Sequence, residues 1–90
     1  MRPNLAQLEE FRRELDRIDS QIGSLLVERV GVVRKVFEWK RRWGLPLHDA
    51  EREAAILQRM SESAPDGIRP DSVVQIFRVI LDETRKSAES

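Results

Sequence analysis

The side chains of this sequence best suited to chemistry are cations at positions where apolar residues are expected. A heptad pattern of apolar residues runs from Leu8 to Leu25, and the next position of that pattern is held by Arg29. Lys40 lies eleven residues after Arg29, about three helical turns, and therefore points the same way. Charges on such a stripe are costly unless a partner or a ligand satisfies them. The spacing therefore predicts a binding site for an anion.

A second interpretation of Arg29 requires no ligand. Its guanidinium would pair with a buried carboxylate such as Glu53 or Asp19, or reach solvent along its aliphatic stem. The sequence leaves both interpretations open. The second cation on the same stripe, Lys40, favours a ligand site, whereas an isolated arginine would favour an ion pair.

Two further cations are candidates for the same site. Arg12 borders the stripe but lies 17 residues from Arg29, about 26 Å along a helix, so one small ligand meets both only if Arg12 comes from an antiparallel second copy. Taken alone, Arg12 is typical of a solvated surface residue. Arg52 lies between Asp49 and Glu53 at the predicted start of a second helix, where the carboxylates are favourable. An arginine is unfavourable there unless it holds an anion.

Three helices are predicted to position these side chains. The first covers residues 5–43 and ends at Gly44, because no proline interrupts the apolar pattern before that glycine. Proline and glycine turns then separate helices at about 50–62 and 70–87. With no strand pattern, the predicted fold class is all-α, a long, a short and a medium helix in a single domain, residues 1–90.

The first helix is too long for the rest of the chain to cover. About 39 residues at 1.5 Å each extend roughly 58 Å. An apolar seam on such a helix, with little other chain to bury it, predicts association with a second copy.

The composition disfavours several classes of function. Sixteen basic and sixteen acidic residues cancel, which argues against a nucleic-acid or anionic membrane surface. Without cysteine there are no disulfides, zinc clusters or thiol catalysis, and a single histidine disfavours a metal site or a Ser-His-Asp arrangement. No signal peptide or membrane-spanning run is recognisable. We therefore expect a cytoplasmic protein without a bound metal.

The run from Leu15 to Arg29 resembles the first helix of the all-helical chorismate mutase family. Its pattern I-D-x-x-I-x-x-L-L-x-E-R is followed by Lys40 and then by D-x-x-R-E at residues 49–53. The resemblance extends over essentially the whole chain. It implies an intertwined homodimer of three-helix chains with two active sites, and a cofactor-free Claisen rearrangement of chorismate to prephenate in the shikimate pathway.

The resemblance also implies roles for the cations. Arg29, together with Arg12 of the partner subunit, would bind the two carboxylates of the substrate, and Lys40 would donate to the ether oxygen of the breaking bond. The residues agree with such chemistry, because a unimolecular pericyclic step needs no nucleophile, metal or general base. It needs a compact conformer and fixed positive charge where negative charge develops.

The remaining implied roles fall on the second and third helices. Asp49 and Glu53 would face the C4 substituent of the ring, Arg52 would lie near a carboxylate, and Thr84 would contact the ring carboxylate. Ala88 departs from the family pattern, since many members carry Gln or Glu there as a second partner for the ether oxygen. Either the last turn is rearranged, or the lysine acts alone, or the substrate differs.

Other functions remain possible on these residues. Relatives on this scaffold rearrange 4-amino-4-deoxychorismate in antibiotic pathways, or cleave isochorismate to salicylate and pyruvate. The carboxylates of Asp49 and Glu53 would accept a 4-ammonium at least as well as a hydroxyl. A helical dimerisation or regulatory module, with Arg29 fixing the register, is the non-enzymatic alternative. An intermediate alternative, between an enzyme and a non-enzymatic module, is a scaffold whose main role is to partner a second shikimate-pathway enzyme.

Overall fold

The computed structural model describes residues 1–89, which form three α-helices and no strand. Helix α1 spans Leu5–Arg42, α2 spans Ala50–Glu62 and α3 spans Pro70–Glu89. The predicted all-α, three-helix architecture is confirmed. The last turn of α3 is regular helix, so the rearranged turn considered for Ala88 is wrong. Across the described chain, no helix has both the length and the apolarity needed to cross a membrane.

Side-chain caps fix where α1 and α2 begin. The carboxamide oxygen of Asn4 accepts hydrogen bonds from the backbone N–H groups of Ala6 and Gln7, at 3.0 and 3.3 Å. The carboxylate of Asp49 accepts one from the N–H of Arg52 at 2.9 Å. Each cap satisfies amide donors that have no partner within the helix.

A left-handed glycine ends α1 and reverses the chain. Gly44 has a φ of 69°, which a side chain would disfavour. Its N–H donates to the carbonyl of Arg41 at 3.2 Å, and the N–H of Leu45 donates to the carbonyl of Lys40 at 2.8 Å. This is the hydrogen-bond pattern of a Schellman motif. The reversal brings the connection to α2 alongside the last turn of α1.

Helix α3 packs against both other helices and holds the fold together. The small core lies where the C-terminal half of α1 and the whole of α2 meet α3. Its buried apolar side chains come from all three helices: Phe37, Ile56, Val73, Leu81 and Ala88.

The N-terminal half of α1 extends beyond this core. The chain measures 67 Å in its longest dimension but only 27 and 15 Å in the other two. The apolar side chains of the heptad seam there are between 42 and 63% exposed: Leu8, Phe11, Leu15, Ile18, Ile22 and Leu25. A seam this apolar gains stability only when another surface covers it.

Beyond Arg29, the stripe of α1 that packs against α3 is displaced from the continuation of the seam. The seam positions Val32 and Val36 are 52 and 43% exposed, whereas Phe37 is buried and Val33 half-buried. In the single chain, the apolar seam therefore stays largely uncovered on both sides of Arg29. A straight helix with 3.6 residues per turn drifts relative to a seven-residue repeat, so the neighbouring stripe turns towards α3.

Replacing Gly44 by alanine should lower the free energy of unfolding by about 1 kcal/mol, because alanine disfavours a positive φ. An added Cβ would meet no atom within 4 Å, so the cost is conformational rather than steric. Urea unfolding followed by circular dichroism measures it. Gly23→Ala is the matched control: it lies inside α1 with open space around it, and should raise stability by about 0.5–1 kcal/mol. A Gly44→Ala variant as stable as the parent would contradict the role of the turn.

Candidate active site

A cavity of about 310 Å³ lies between the C-terminal half of α1, the start of α2 and the end of α3. Its floor is apolar, formed in part by Val36, Phe37, Ile56 and Leu81. Such a floor lowers the local dielectric and strengthens electrostatic interactions at its surface. The charged side chains that line the cavity come from all three helices and the cap of α2: Arg29, Lys40, Asp49, Arg52, Glu53 and Arg85.

Arg29 is half-buried and is held by a neutral partner. One of its guanidinium nitrogens donates to the hydroxyl of Thr84, which is 3% exposed and itself donates to the carbonyl of Ile80 at 2.6 Å. Within residues 1–89, Arg29 forms no ion pair, so the alternative in which it pairs with Glu53 or Asp19 is not what the structure shows. Its position is fixed while its charge stays uncompensated.

Lys40 supplies a second uncompensated charge. Its side chain is half-buried, and its Nζ donates to the carbonyl of Leu47 at 3.1 Å, on the connection that follows Gly44. A carbonyl orients the ammonium without neutralising it. The two cations that share a stripe in the sequence, Arg29 and Lys40, thus line one cavity.

The α2 wall of the cavity carries both signs of charge. The carboxylate of Asp49 is engaged in capping the helix, and the side chain of Arg52 is exposed. Glu53 is half-buried and has two partners: His48 Nε2 lies 3.1 Å from its Oε2, and a guanidinium nitrogen of Arg85 lies 3.5 Å from its Oε1. Glu53 is therefore tied to both the α1–α2 connection and α3.

Arg85 and His48 are site residues that the sequence reasoning missed. Arg85 lies four residues after Leu81, on the face of α3 that points into the cavity, and that spacing is the signal that could have found it. Its second guanidinium contact is with Asp82 Oδ1 at 2.5 Å. The pKa of Asp82 is lowered, chiefly by a hydrogen bond from Lys86 and further by the charge of Arg85, so this carboxylate stays ionised.

Three of the predicted site residues do not line the cavity of the single chain. Arg12 is exposed on α1 and pairs with Glu9 at 2.7 Å. Thr84 reaches the cavity only through Arg29. Ala88 is buried at 6% exposure and places no polar group in the cavity. The other five predicted site residues line the same cavity and come from α1, from α2 and from its cap: Arg29, Lys40, Asp49, Arg52 and Glu53.

The charges lining the cavity are unbalanced although the chain as a whole is neutral. Among the described lining residues, four cations face two carboxylates, which leaves an excess of two positive charges when the single histidine is neutral. Fixed arginines hold carboxylates in a bidentate geometry, and a lysine acts as a compact point charge. The arrangement is suited to binding a dianion and to stabilising negative charge that develops on it.

Comparison with known proteins assigns the family. Residues 11–89 match the family model of type II chorismate mutases, and the chain belongs to this family. A bifunctional chorismate mutase/prephenate dehydratase of Aquifex aeolicus is 36% identical over 81 residues, and a chorismate mutase of Methanocaldococcus jannaschii is 28% identical over 82 residues. The resemblance to this family predicted from the sequence is confirmed.

The coverage differs between these relatives. The aligned residues make up 86% of this chain but 22% of the Aquifex protein, so this chain corresponds to about a fifth of that relative. They make up 90% of this chain and 83% of the Methanocaldococcus protein. A solved chorismate mutase structure from Thermus thermophilus (form II) superimposes with a TM-score of 0.86 at 25% identity, covering 92% of this chain and 94% of that one.

Replacing Thr84 by valine should destabilise the protein by about 1–3 kcal/mol, because a half-buried guanidinium loses its acceptor. Valine has nearly the same shape, so the loss reports the hydrogen bond rather than packing. Chemical unfolding measures the difference. Thr84→Ser keeps the hydroxyl and serves as the control; equal stability of the valine and serine variants would show that this bond does not hold Arg29.

Proposed function

We propose that this chain is a chorismate mutase that converts chorismate to prephenate by a cofactor-free Claisen rearrangement, a step of aromatic amino acid biosynthesis. The observation that carries the proposal is the pair of uncompensated cations, Arg29 and Lys40, in one cavity of a chain from this family. Relatives named as chorismate mutases add support.

The reaction is unimolecular, so the cavity has to hold the substrate in a reactive conformation and does not transfer any group to or from it. A C–O bond breaks while a C–C bond forms, and no proton moves. Arg29 binds one substrate carboxylate with the paired donors of its guanidinium. Lys40 exchanges its bond to the Leu47 carbonyl for one to the ether oxygen, where negative charge develops. Together with the compact conformer that they enforce, such charges would lower the barrier by ~8 kcal/mol, near the lower end of enzymatic acceleration.

The α2 wall orients the rest of the substrate. Arg52 lies in the first turn of α2, where the positive end of the helix dipole adds to its attraction for a carboxylate. Glu53 accepts a hydrogen bond from the C4 hydroxyl, beside the carboxylate of Asp49. Thr84 contributes by holding Arg29, and the methyl group at Ala88 leaves Lys40 as the partner of the ether oxygen.

A second copy of the chain completes the site. The apolar seam at the N-terminal half of α1 is exposed, and a second chain lying antiparallel along it would bury that surface. The same arrangement would bring Arg12 of the partner subunit to the cavity, although the two arginines are about 26 Å apart along one helix. We therefore propose an intertwined homodimer of single-domain chains. A cytoplasmic location and a second shikimate-pathway enzyme as partner remain predictions.

A substrate panel separates this function from the alternatives. Purified protein should consume chorismate without added cofactor and form an isomer of the same mass, as a rearrangement requires. Consumption of isochorismate with release of salicylate would instead indicate a lyase, and preference for 4-amino-4-deoxychorismate a mutase of secondary metabolism. If none of the three reacts and none raises the melting temperature, the dimerisation module is the better interpretation.

Replacing Lys40 by alanine should lower kcat/KM for chorismate by about 10²–10³, because the ether oxygen loses its fixed positive charge. Helicity and melting temperature should change little, since within residues 1–89 the ammonium of the lysine makes a single hydrogen bond, to a backbone carbonyl. Lys35→Ala is the control, an exposed lysine of the same helix outside the cavity. Full activity of the Lys40→Ala enzyme would contradict the mechanism.

Mixing two inactive variants tests whether the site is shared between chains. Arg12→Ala and Arg29→Ala dimers, mixed after mild unfolding and refolding, should recover about a quarter of the parental activity, because half of the dimers are mixed and each has one intact site. Refolding Arg29→Ala with Lys40→Ala is the control and should recover nothing, since both residues serve the site of their own chain. No recovery in the first mixture would contradict the contribution of the partner's Arg12.

A further inference from the structure

We propose that Arg85 is a specificity-determining residue. By offsetting the charge of Glu53, it makes the cavity favour a dicarboxylate with a neutral hydroxyl group over the same molecule with an ammonium in place of that hydroxyl. The proposal rests on the mutase function proposed above and names a residue that selects its substrate.

The guanidinium of Arg85 bridges two helices. One nitrogen lies 3.5 Å from Glu53 on α2, and another lies 2.5 Å from Asp82 on α3 itself. The side chains of Arg85 and Glu53 are 23 and 29% exposed, so solvent screens their interaction only in part. The shorter contact, with Asp82, anchors Arg85 to its own helix. The longer one, with Glu53, directs its remaining charge towards the cavity.

Asp82 does not use up the charge of Arg85. The carboxylate of Asp82 also pairs with the ammonium of Lys86 at 2.9 Å, on the exposed side of α3. Those two opposite charges offset each other outside the cavity. Of the three residues, only Arg85 lines the cavity, so its charge is the one that a bound molecule meets.

Glu53 is the cavity carboxylate that Arg85 contacts, and it can still accept a hydrogen bond from a donor on a ligand. Among the described lining residues the acidic side chains are Asp49 and Glu53, and the first is engaged as the cap of α2. Both oxygens of Glu53 already have a protein partner, His48 for one and Arg85 for the other. Each carboxylate oxygen can accept a further hydrogen bond, so a hydroxyl is accommodated at little cost.

An ammonium at the same place meets different electrostatics. The negative charge that would attract it is offset by Arg85, and the guanidinium repels it from close range. The excess of two positive charges on the lining residues also matches a dianion better than a molecule whose ammonium reduces its net charge to minus one. Removing Arg85 would expose the carboxylate of Glu53 and lower that excess by one.

The test compares kcat/KM for chorismate and for 4-amino-4-deoxychorismate. The parent enzyme should prefer chorismate, and Arg85→Gln should shift the ratio of the two values by about five- to ten-fold towards the amino substrate. Arg85→Lys keeps the charge and should keep most of the preference. Arg78→Gln, an exposed arginine of the same helix outside the cavity, should leave the ratio unchanged. An unchanged ratio in Arg85→Gln would overturn the proposal.

A double-mutant cycle separates charge compensation from a purely structural role. In a Glu53→Gln background, Arg85→Gln should shift the ratio less, because no carboxylate is left to offset and only the direct repulsion between the guanidinium and the ammonium is removed. A shift of the same size in both backgrounds would overturn the proposal. If Arg85→Gln does not fold, Asp82→Asn gives a second test: it removes the competing charge, while its amide oxygen still accepts from Arg85 and keeps the anchor. The preference for chorismate should be kept or increased, and a decrease would overturn the proposal.

The outcomes also distinguish the two proposals. A parent enzyme that converts neither substrate would refute the mutase function, and the role of Arg85 with it. A parent enzyme that converts chorismate, with a ratio that Arg85→Gln leaves unmoved, would refute the role of Arg85 alone.

Discussion

The hydrogen bond between Arg29 of α1 and Thr84 of α3 is the interaction on which the candidate site depends. A half-buried guanidinium needs a partner, and here that partner is a hydroxyl rather than a carboxylate. An ion pair would fix the arginine equally well but would cancel its charge. Because the hydroxyl is neutral, the same contact that joins the two helices leaves a positive charge at the edge of the cavity.

The same principle applies to the rest of the α1 stripe. Lys40 is oriented by a backbone carbonyl, which again holds the cation without neutralising it. The Schellman turn at Gly44 makes this contact possible, because it returns the chain past the end of α1. A chain with no net charge thereby acquires a cavity lined by an excess of cations, while acidic groups elsewhere on the surface restore the balance.

The carboxylate of Glu53 on the α2 wall is organised differently, because its charge is paired instead of being left free. Glu53 lies between His48 and Arg85, and Arg85 is anchored in turn by Asp82. Uncompensated cations on one wall and a compensated carboxylate on the other give the cavity two kinds of recognition. The first is suited to carboxylates, and the second to a neutral donor.

The sequence by itself determined the three helices, their caps and the register that places Arg29 and Lys40 on one side of α1. These features depend on residues that lie close together in the sequence. They follow from the helical repeat, the cap at Asp49 and the positive φ of Gly44. The tertiary structure alone decided which stripe of α1 meets α3, that Arg29 bonds to a hydroxyl, and that Arg85 reaches the cavity. Those outcomes depend on how helices far apart in sequence pack together, and helical periodicity carries no information about the distance or rotation between two helices.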